Sequence, residues 1–468
     1  MPVKQITVSM ALLAMLVAGG PVAPAVADIA GDPLMAQSWH LNGDGPMGIA
    51  SAWERTTGGE VVVAVLDSGA DLRHPDLAAN LWTNPGEIPG NGVDDDADGY
   101  VDDVHGADVV NRDGDPSDDN GHGTHVAGII GARRDNGIGS SGVAGRVRLM
   151  PVKVLDARAA GDAEDVAAGL RYAVAHGARI VNVSLAGPRP SRPLRDAVEA
   201  ARRAGVLVVA AAGNDGRALD DAPSYPVSLP AANVLGVAAA RRDGGLVAGS
   251  NYGAAAELAA PGEDILSTAR GGWYELRSGT SVAAPMVTGA AALIASAAPA
   301  LDYRGLVSAL TMSAQTTSLP SGTRRLDAGA AVGLAASGAA AAAVARDAAG
   351  APAGRVVLGR AARVRSGGSA KRLGRVLRAA RLRPVEQRRI RRRDAVPHLF
   401  DRIDVEVERL RERGLGEPRG DADAQAAGRQ LQQREPLILV HRIEHRGKRG
   451  GRFGTAESHQ AVDDAPQR

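Results

Sequence analysis

The chain has 468 residues, 44% of them hydrophobic, with 59 glycines and only 3% aromatics. That composition excludes a wholly disordered protein and requires a core of Val, Leu, Ile and Ala packed close to backbone, which suits an α/β fold in one large domain or two to three ordinary ones. There is no cysteine, so disulfides are excluded and durability must come from core size, anchored loops or bound metal. The net charge of +1 hides a split: the last 114 residues carry about 28 Lys and Arg against about 15 Asp and Glu, leaving an acidic excess of about 12 before them.

From the N-terminus, Lys4 precedes an apolar stretch over residues 6–18, followed by Pro21, Pro24 and the small run Ala25-Val26-Ala27. This order of charge, short apolar core and small-residue end predicts a secretory signal over residues 1–27 and a secreted protein; the stretch is too short for a membrane anchor, and the rival reading is a buried N-terminal helix. Between residues 28 and 340, the runs 61–66, 149–155, 179–185 and 205–212 are mainly apolar and rich in β-branched residues, as in parallel strands covered on both faces. Residues 162–176 and 191–204 read as amphipathic helices between them. The alternation predicts an α/β fold, a doubly wound parallel sheet with helices on both faces. Residues 341–468 turn to Ala repeats and then Arg-rich sequence, and predict a mostly disordered basic tail. Within it, Phe400, Ile403, Val407 and Leu410 share one helical face over residues 398–413, stopped by Gly414.

Three positions stand out for chemistry. Asp67 closes the apolar run "VVVAVLD", and functional side chains in open parallel sheets sit past the carboxyl ends of strands. His122 precedes the helical pattern "THVAGIIGA". Ser281 follows Gly279-Thr280 at the head of a long apolar helix ending near Pro299, where unpaired backbone N–H groups face developing negative charge. A serine hydroxyl needs a base, and an imidazole base needs a third group to fix its tautomer. Any domain of this size contains Ser, His and Asp; the setting of each at a strand end or helix start sharpens the case.

The segments "VAVLDSG", "GHGTHVAG", "VVAAAGNDG" and "SGTSVAAP" occur in this order, and closely resemble the signature blocks of the subtilisin-like serine proteases, the subtilases. The resemblance covers about 300 residues, from 32–41 to roughly Gly338. It implies a subtilisin-like peptidase domain over residues 28–340, with Asp67 orienting the imidazole, His122 as general base then acid, Ser281 as nucleophile, and Asn214 with the Ser281 N–H as oxyanion donors. His125 is expected to be a packed structural residue; a zinc-binding pair with His122 is the rival. "IVNVSLAG" and "VVAAAGN" resemble the segments that flank the family's S1 pocket and hold substrate as an added strand. Ser184, Leu185, Ala186, Gly187, Ala211, Ala212 and Gly213 would line that cleft, and Ser224 would form the pocket floor. Ala186 replaces the family's usual Gly and would narrow the entrance; the nearby Asp215, Asp220 and Asp221 read as a solvated loop or as a taste for basic residues.

Between Asp67 and His122, Asp94, Asp96, Asp98 and Gly99 spell the first half of a D-x-D-x-D-G calcium loop. Position twelve would be His105, so it is not an EF-hand. Subtilases with such inserts often bind calcium, which assigns Asp94, Asp96, Asp98 and Asp103 as ligands; an acidic solvated loop is the alternative. Two departures from the family pattern stand out: about 33 residues separate Ala27 from the first strand, too few for a prodomain, and Val282 replaces the Met that commonly follows the serine. The expected function is a secreted, calcium-supported serine endopeptidase acting as a monomer on extended proteins or peptides, with no membrane span and no nucleic-acid partner. The alternative is a basic surface- or nucleic-acid-binding protein with an idle protease-like fold.

Overall fold

The computed structural model describes residues 31–43, 45–350, 439–440 and 453–455. The expected signal segment, and the tail helix expected at residues 398–413, lie outside the described residues. The elements run α1 (Ile49–Trp53), β1 (Gly58–Asp67), β2 (Ala107–Asp108), α2 (His122–Gly131), β3 (Arg146–Lys153), β4 (Ala160–Gly161), α3 (Ala163–Ala175), β5 (Ile180–Val183), β6 (Leu185–Ala186) and α4 (Arg192–Arg203). There follow β7 (Leu207–Ala211), β8 (Val234–Ala240), β9 (Leu258–Pro261), β10 (Ile265–Ala269), β11 (Trp273–Arg277), α5 (Thr280–Ala297), α6 (Tyr303–Ser313), β12 (Arg324–Arg325), α7 (Ala328–Ala336) and α8 (Ala339–Gly350). Two short strands come from the tail, β13 (Leu439–Val440) and β14 (Phe453–Thr455).

Eight strands form one sheet in the order β12-β9-β8-β7-β5-β1-β3-β2, every neighbouring pair parallel. The continuous apolar runs are explained by cover on both faces. Along β1, Val63 and Val65 pack into one layer with α2 and α5, while Ala64 and Leu66 pack into the other with α3 and α4. Only an apolar side chain suits either direction, so the alternation expected of a one-sided sheet disappears.

β1 lies between β3 and β5, so the chain reverses its winding there. α2, on the path that leads from β1 through β2 to β3, lies on one face through Val126, Ile129 and Ile130; α3, on the path from β3 to β5, lies on the other through Val166 and Leu170. Right-handed crossovers require that switch of face when the direction of travel reverses, and they open a crevice at the carboxyl ends of the strands. Asp67 is the last residue of β1, at that edge.

α5 runs through the core. Among the described residues it is the one helix long and apolar enough to cross a membrane, and 89% of its apolar window is buried inside the fold, which makes it a core helix. Pro285 stands inside it. Proline has no N–H, so the carbonyl four residues back, that of Ser281, loses its helical partner.

Two short strands of the tail join the body. β13 pairs parallel with β11, and β14 forms the middle strand of a separate sheet in the order β4-β14-β6. Local pattern gave no sign of either, because strands of two or three residues draw their stability from the edge they join.

Candidate active site

His122 is the first residue of α2. The helix start is pressed against the turn after β1: a Cβ on Gly123 would fall 2.1 Å from the Gly69 carbonyl oxygen, so only glycine allows the approach. Gly123 N–H donates to Ser68 Oγ at 3.0 Å. With the two backbones this close, His122 Nδ1 lies 2.7 Å from Asp67 Oδ1, and both residues are buried. Asp67 Oδ1 also accepts the Ser68 N–H at 2.8 Å. A carboxylate at Nδ1 places the proton on that nitrogen and presents Nε2 as the basic edge.

The loop before His122 is held by Asp118, a residue that the sequence reading passed over as one more acidic loop position. Its buried carboxylate accepts from Ser68 Oγ (2.8 Å), Asn120 N (3.0 Å), Gly121 N (2.8 Å), Thr124 N (2.9 Å) and Thr124 Oγ1 (2.5 Å). Five donors on one carboxylate tie the loop before α2, and the Thr124 N–H of its first turn, to the β1 turn. Next to it, Asp119 Oδ1 receives the buried Lys153 Nζ at 2.6 Å, which also donates to Leu155 O at 2.9 Å.

Ser281 is the second residue of α5 and is fully buried, its Oγ making no hydrogen bond among the described residues. The carbonyl stripped of its helical partner by Pro285 accepts from Ser184 Oγ at 2.7 Å. Ser184 in turn accepts from Asn182 Nδ2 (2.8 Å), whose Oδ1 takes the Thr288 hydroxyl (2.8 Å). This buried chain fixes the head of α5 to β5. Asn214 Oδ1 accepts Thr280 N–H at 2.9 Å, while Gly213 N–H donates to Thr280 Oγ1 at 3.0 Å. Gly279, at φ 140°, has no room for a side chain, since a Cβ would stand 2.7 Å from Asn214 Nδ2. Asn251, also missed in sequence, holds the 213–217 turn: its Oδ1 accepts Asp215 N (3.0 Å) and Arg217 N (3.1 Å), and its Nδ2 donates to Ala212 O (2.9 Å).

The expected cleft residues come together. Leu185 and Ala186 form β6, Gly187 exchanges two backbone bonds with Tyr225 at 2.9 and 2.8 Å, and Ser224 beside it is buried. Ala211 closes β7, buried Ala212 follows, and a Cβ on Gly213 would lie 3.8 Å from the Ala186 methyl, so the two segments meet. Asp215 pairs with Arg217 at 2.7 Å and Asp220 accepts from Ala254 N–H at 3.3 Å, which occupies these carboxylates locally. His125 faces the β10–β11 hairpin, its Nε2 3.1 Å from Ile265 O and 3.2 Å from Glu275 O. Burial, with the Arg277 charge, pushes its pKa well below the ordinary imidazole value, so Nε2 carries the proton and donates.

The four expected calcium ligands divide. Asp94 and Asp96 gather with Glu87, their carboxylate oxygens within 4.8 Å of one another, and Asp96 and Asp98 gather with His176 on the same scale. Asp103 belongs to neither group: it is buried, accepts Asn84 Nδ2 at 2.9 Å and the Tyr172 hydroxyl, and burial raises its pKa to about 6. Glu87, seven residues before Asp94, stands where Asp103 was expected. Three carboxylates in one cluster suit a hard cation; the group containing His176 suits it less.

Residues 58–334 match the subtilase family, peptidase S8, and the chain belongs to that family. It is 40% identical over 247 residues to the thermophilic serine proteinase of Bacillus sp. (strain AK1), covering 52% of this chain and 55% of that protein. It is 37% identical over 245 residues to thermitase of Thermoactinomyces vulgaris, covering 52% of this chain and 78% of that one. Subtilisin-like protease 1 of Plasmodium vivax is 38% identical over 291 residues, 58% of this chain and 46% of that protein. The chain thus spans about half the length of two of these three relatives. Among solved structures, a protease from Pseudoalteromonas arctica PAMC 21717 aligns with a TM-score of 0.57 and 30% identity, over 66% of this chain and 100% of that chain.

Proposed function

We propose that this protein is a secreted serine endopeptidase that cuts extended or unfolded protein substrates through an acyl-enzyme on Ser281. One observation carries the reading: the buried Asp67–His122 pair at 2.7 Å, at the carboxyl edge of the sheet, with Ser281 in the first turn of α5. The relatives' names, serine proteinase and protease among them, agree with it.

In this reading His122 Nε2 takes the Ser281 hydroxyl proton as Oγ bonds to the substrate carbonyl carbon. Asp67 keeps Nδ1 protonated and favours the imidazolium. The carbonyl oxygen becomes an oxyanion between the Ser281 N–H, an orphan donor of the first turn of α5, and the Asn214 amide, whose Oδ1 is engaged by Thr280. Collapse breaks the C–N bond, with the imidazolium proton passing to the leaving amine, and water then repeats the sequence to free the acid. Nucleophile–base bonds tighten when substrate binds, so a Ser281 Oγ that makes no hydrogen bond beforehand is compatible with this role. The substrate chain pairs with β6, its P1 side chain directed between 184–187 and 211–213 toward Ser224.

Calcium would be held by Glu87, Asp94 and Asp96, with Asp98 beside them, and would neutralise the loop's like charges. The test is Ser281→Ala, expected to abolish both casein hydrolysis and labelling by a fluorophosphonate; a variant that still labels normally disproves the assignment.

A further inference from the structure

β4 and β6 do not pair with each other. Strand β14 lies between them, antiparallel to both, with Phe453 opposite Gly161, Gly454 opposite Ala160 and Ala186, and Thr455 opposite Leu185. Neighbouring strands stand about 4.8 Å apart, so β4 and β6 border a slot roughly 10 Å across, the width of one extended chain. Each wall is two residues long and cannot form a sheet alone. What the walls offer is backbone N–H and C=O groups on facing edges, a template for a guest strand. Leu185 and Ala186, the wall that β14 covers, are the residues to which a substrate strand is assigned above, and one slot holds one strand.

We propose that Phe453–Thr455 occupies the substrate slot of its own chain and holds the peptidase autoinhibited until that segment is displaced. The inference rests on the reading under Proposed function and adds regulation of the same site. A second contact supports it. β13 pairs with Glu275 and Leu276 of β11, the strand that leads through Ser278 and Gly279 into Ser281. The tail therefore meets the body at two places, β11 and the β4–β6 slot. Tethering does the rest: a segment in cis acts at an effective concentration of about 1 mM, so even a weak segment with Kd of about 0.1 mM raises the apparent Kd of an outside peptide roughly tenfold.

The test uses the full chain with Ser281→Ala, so that this site cannot cut its own tail, with and without Gly454→Pro. Proline removes the backbone N–H at the residue paired on both sides and is excluded from a middle strand. The probe is a fluorescein-labelled peptide of residues 450–458, its binding read by anisotropy. The expected result is about tenfold tighter binding to the double variant, and the same gain with Thr455→Pro, a second variant guarding against an effect peculiar to position 454. Equal affinities with and without the prolines, or no binding to any variant, overturn the proposal. Fluorophosphonate labelling of the Gly454→Pro chain with Ser281 intact is scored separately: its failure sinks the serine-peptidase reading, whereas labelling together with equal affinities sinks only the role given to the tail.

Discussion

Asp67 and Asp118 are buried, while Asp96 and Asp98, between them in sequence, lie at the surface. In the first pair each oxygen that carries a role is aimed at particular partners, an imidazole in one case and, in the other, four donors from residues 120–124 with the Ser68 hydroxyl of the β1 turn. In the surface loop Asp94 bonds backbone N–H groups four and five residues away, those of Asp98 (3.1 Å) and Gly99 (2.9 Å). Partial burial, together with the charges of Asp96 and Asp94, holds the Asp98 carboxyl above its usual range. Buried carboxylates here are positioned by the fold and in turn position the site; the surface carboxylates gather with one another. The same residue type does two jobs because the dielectric around it differs.

The largest effect that could break this comparison is at Asp67. Asp67→Asn keeps the shape but favours the wrong imidazole tautomer, so kcat should fall on the order of 10⁴-fold with little change in KM. A loss under tenfold in a steady-state peptide assay would mean that the buried pair is merely structural. Next comes Asp118→Ala, which strands buried donors at the start of α2 and should cost roughly 3 kcal/mol in a denaturant melt. Asp118→Asn, keeping one acceptor oxygen, should recover part of that loss, and equal losses for the two would refute a hydrogen-bonding role.

Removing cations addresses the surface side. A ligand present at 100 times its Kd adds about 2.7 kcal/mol, so a chelator should lower Tm by about 5–10 °C and speed proteolysis if the loop is a cation site. An unchanged Tm would leave it a solvated acidic loop. The last effect concerns pH and again falls on buried groups. Burial, with the Arg242 charge, lowers the His40 pKa from 6.5 to about 3. A depressed histidine contributes stability that is whole above its unfolded value of 6.5 and is lost as pH falls toward 3. His40→Gln should flatten the acid side of the stability curve by up to about 1.4 kcal/mol per pH unit, read as thermal melts between pH 7 and pH 4.

Much of this was legible before any coordinates. The strand at residues 61–66 appears within β1, and the helices expected at 162–176 and 191–204 appear as α3 and α4 with ends shifted by a residue. The placement of Asp67 at a strand end and of His122 and Ser281 at helix starts was equally readable, because apolar runs and the glycines beside them are local signals. Asp118, Asn251 and Glu87 were not readable. Each acts through hydrogen bonds or carboxylate neighbours that the local pattern does not encode, and in sequence each is one polar loop residue among several.

By itself, then, the sequence determined the alternation of buried strands and helices, the order of the signature segments and the family they belong to, since periodicity and motif are properties of neighbouring residues. Only the tertiary structure decided which acids are buried and which gather at the surface, that Glu87 rather than Asp103 joins Asp94 and Asp96, and that residues 453–455 lie between β4 and β6. Those outcomes depend on the path of the backbone through space, which brings together groups from seven to hundreds of positions apart.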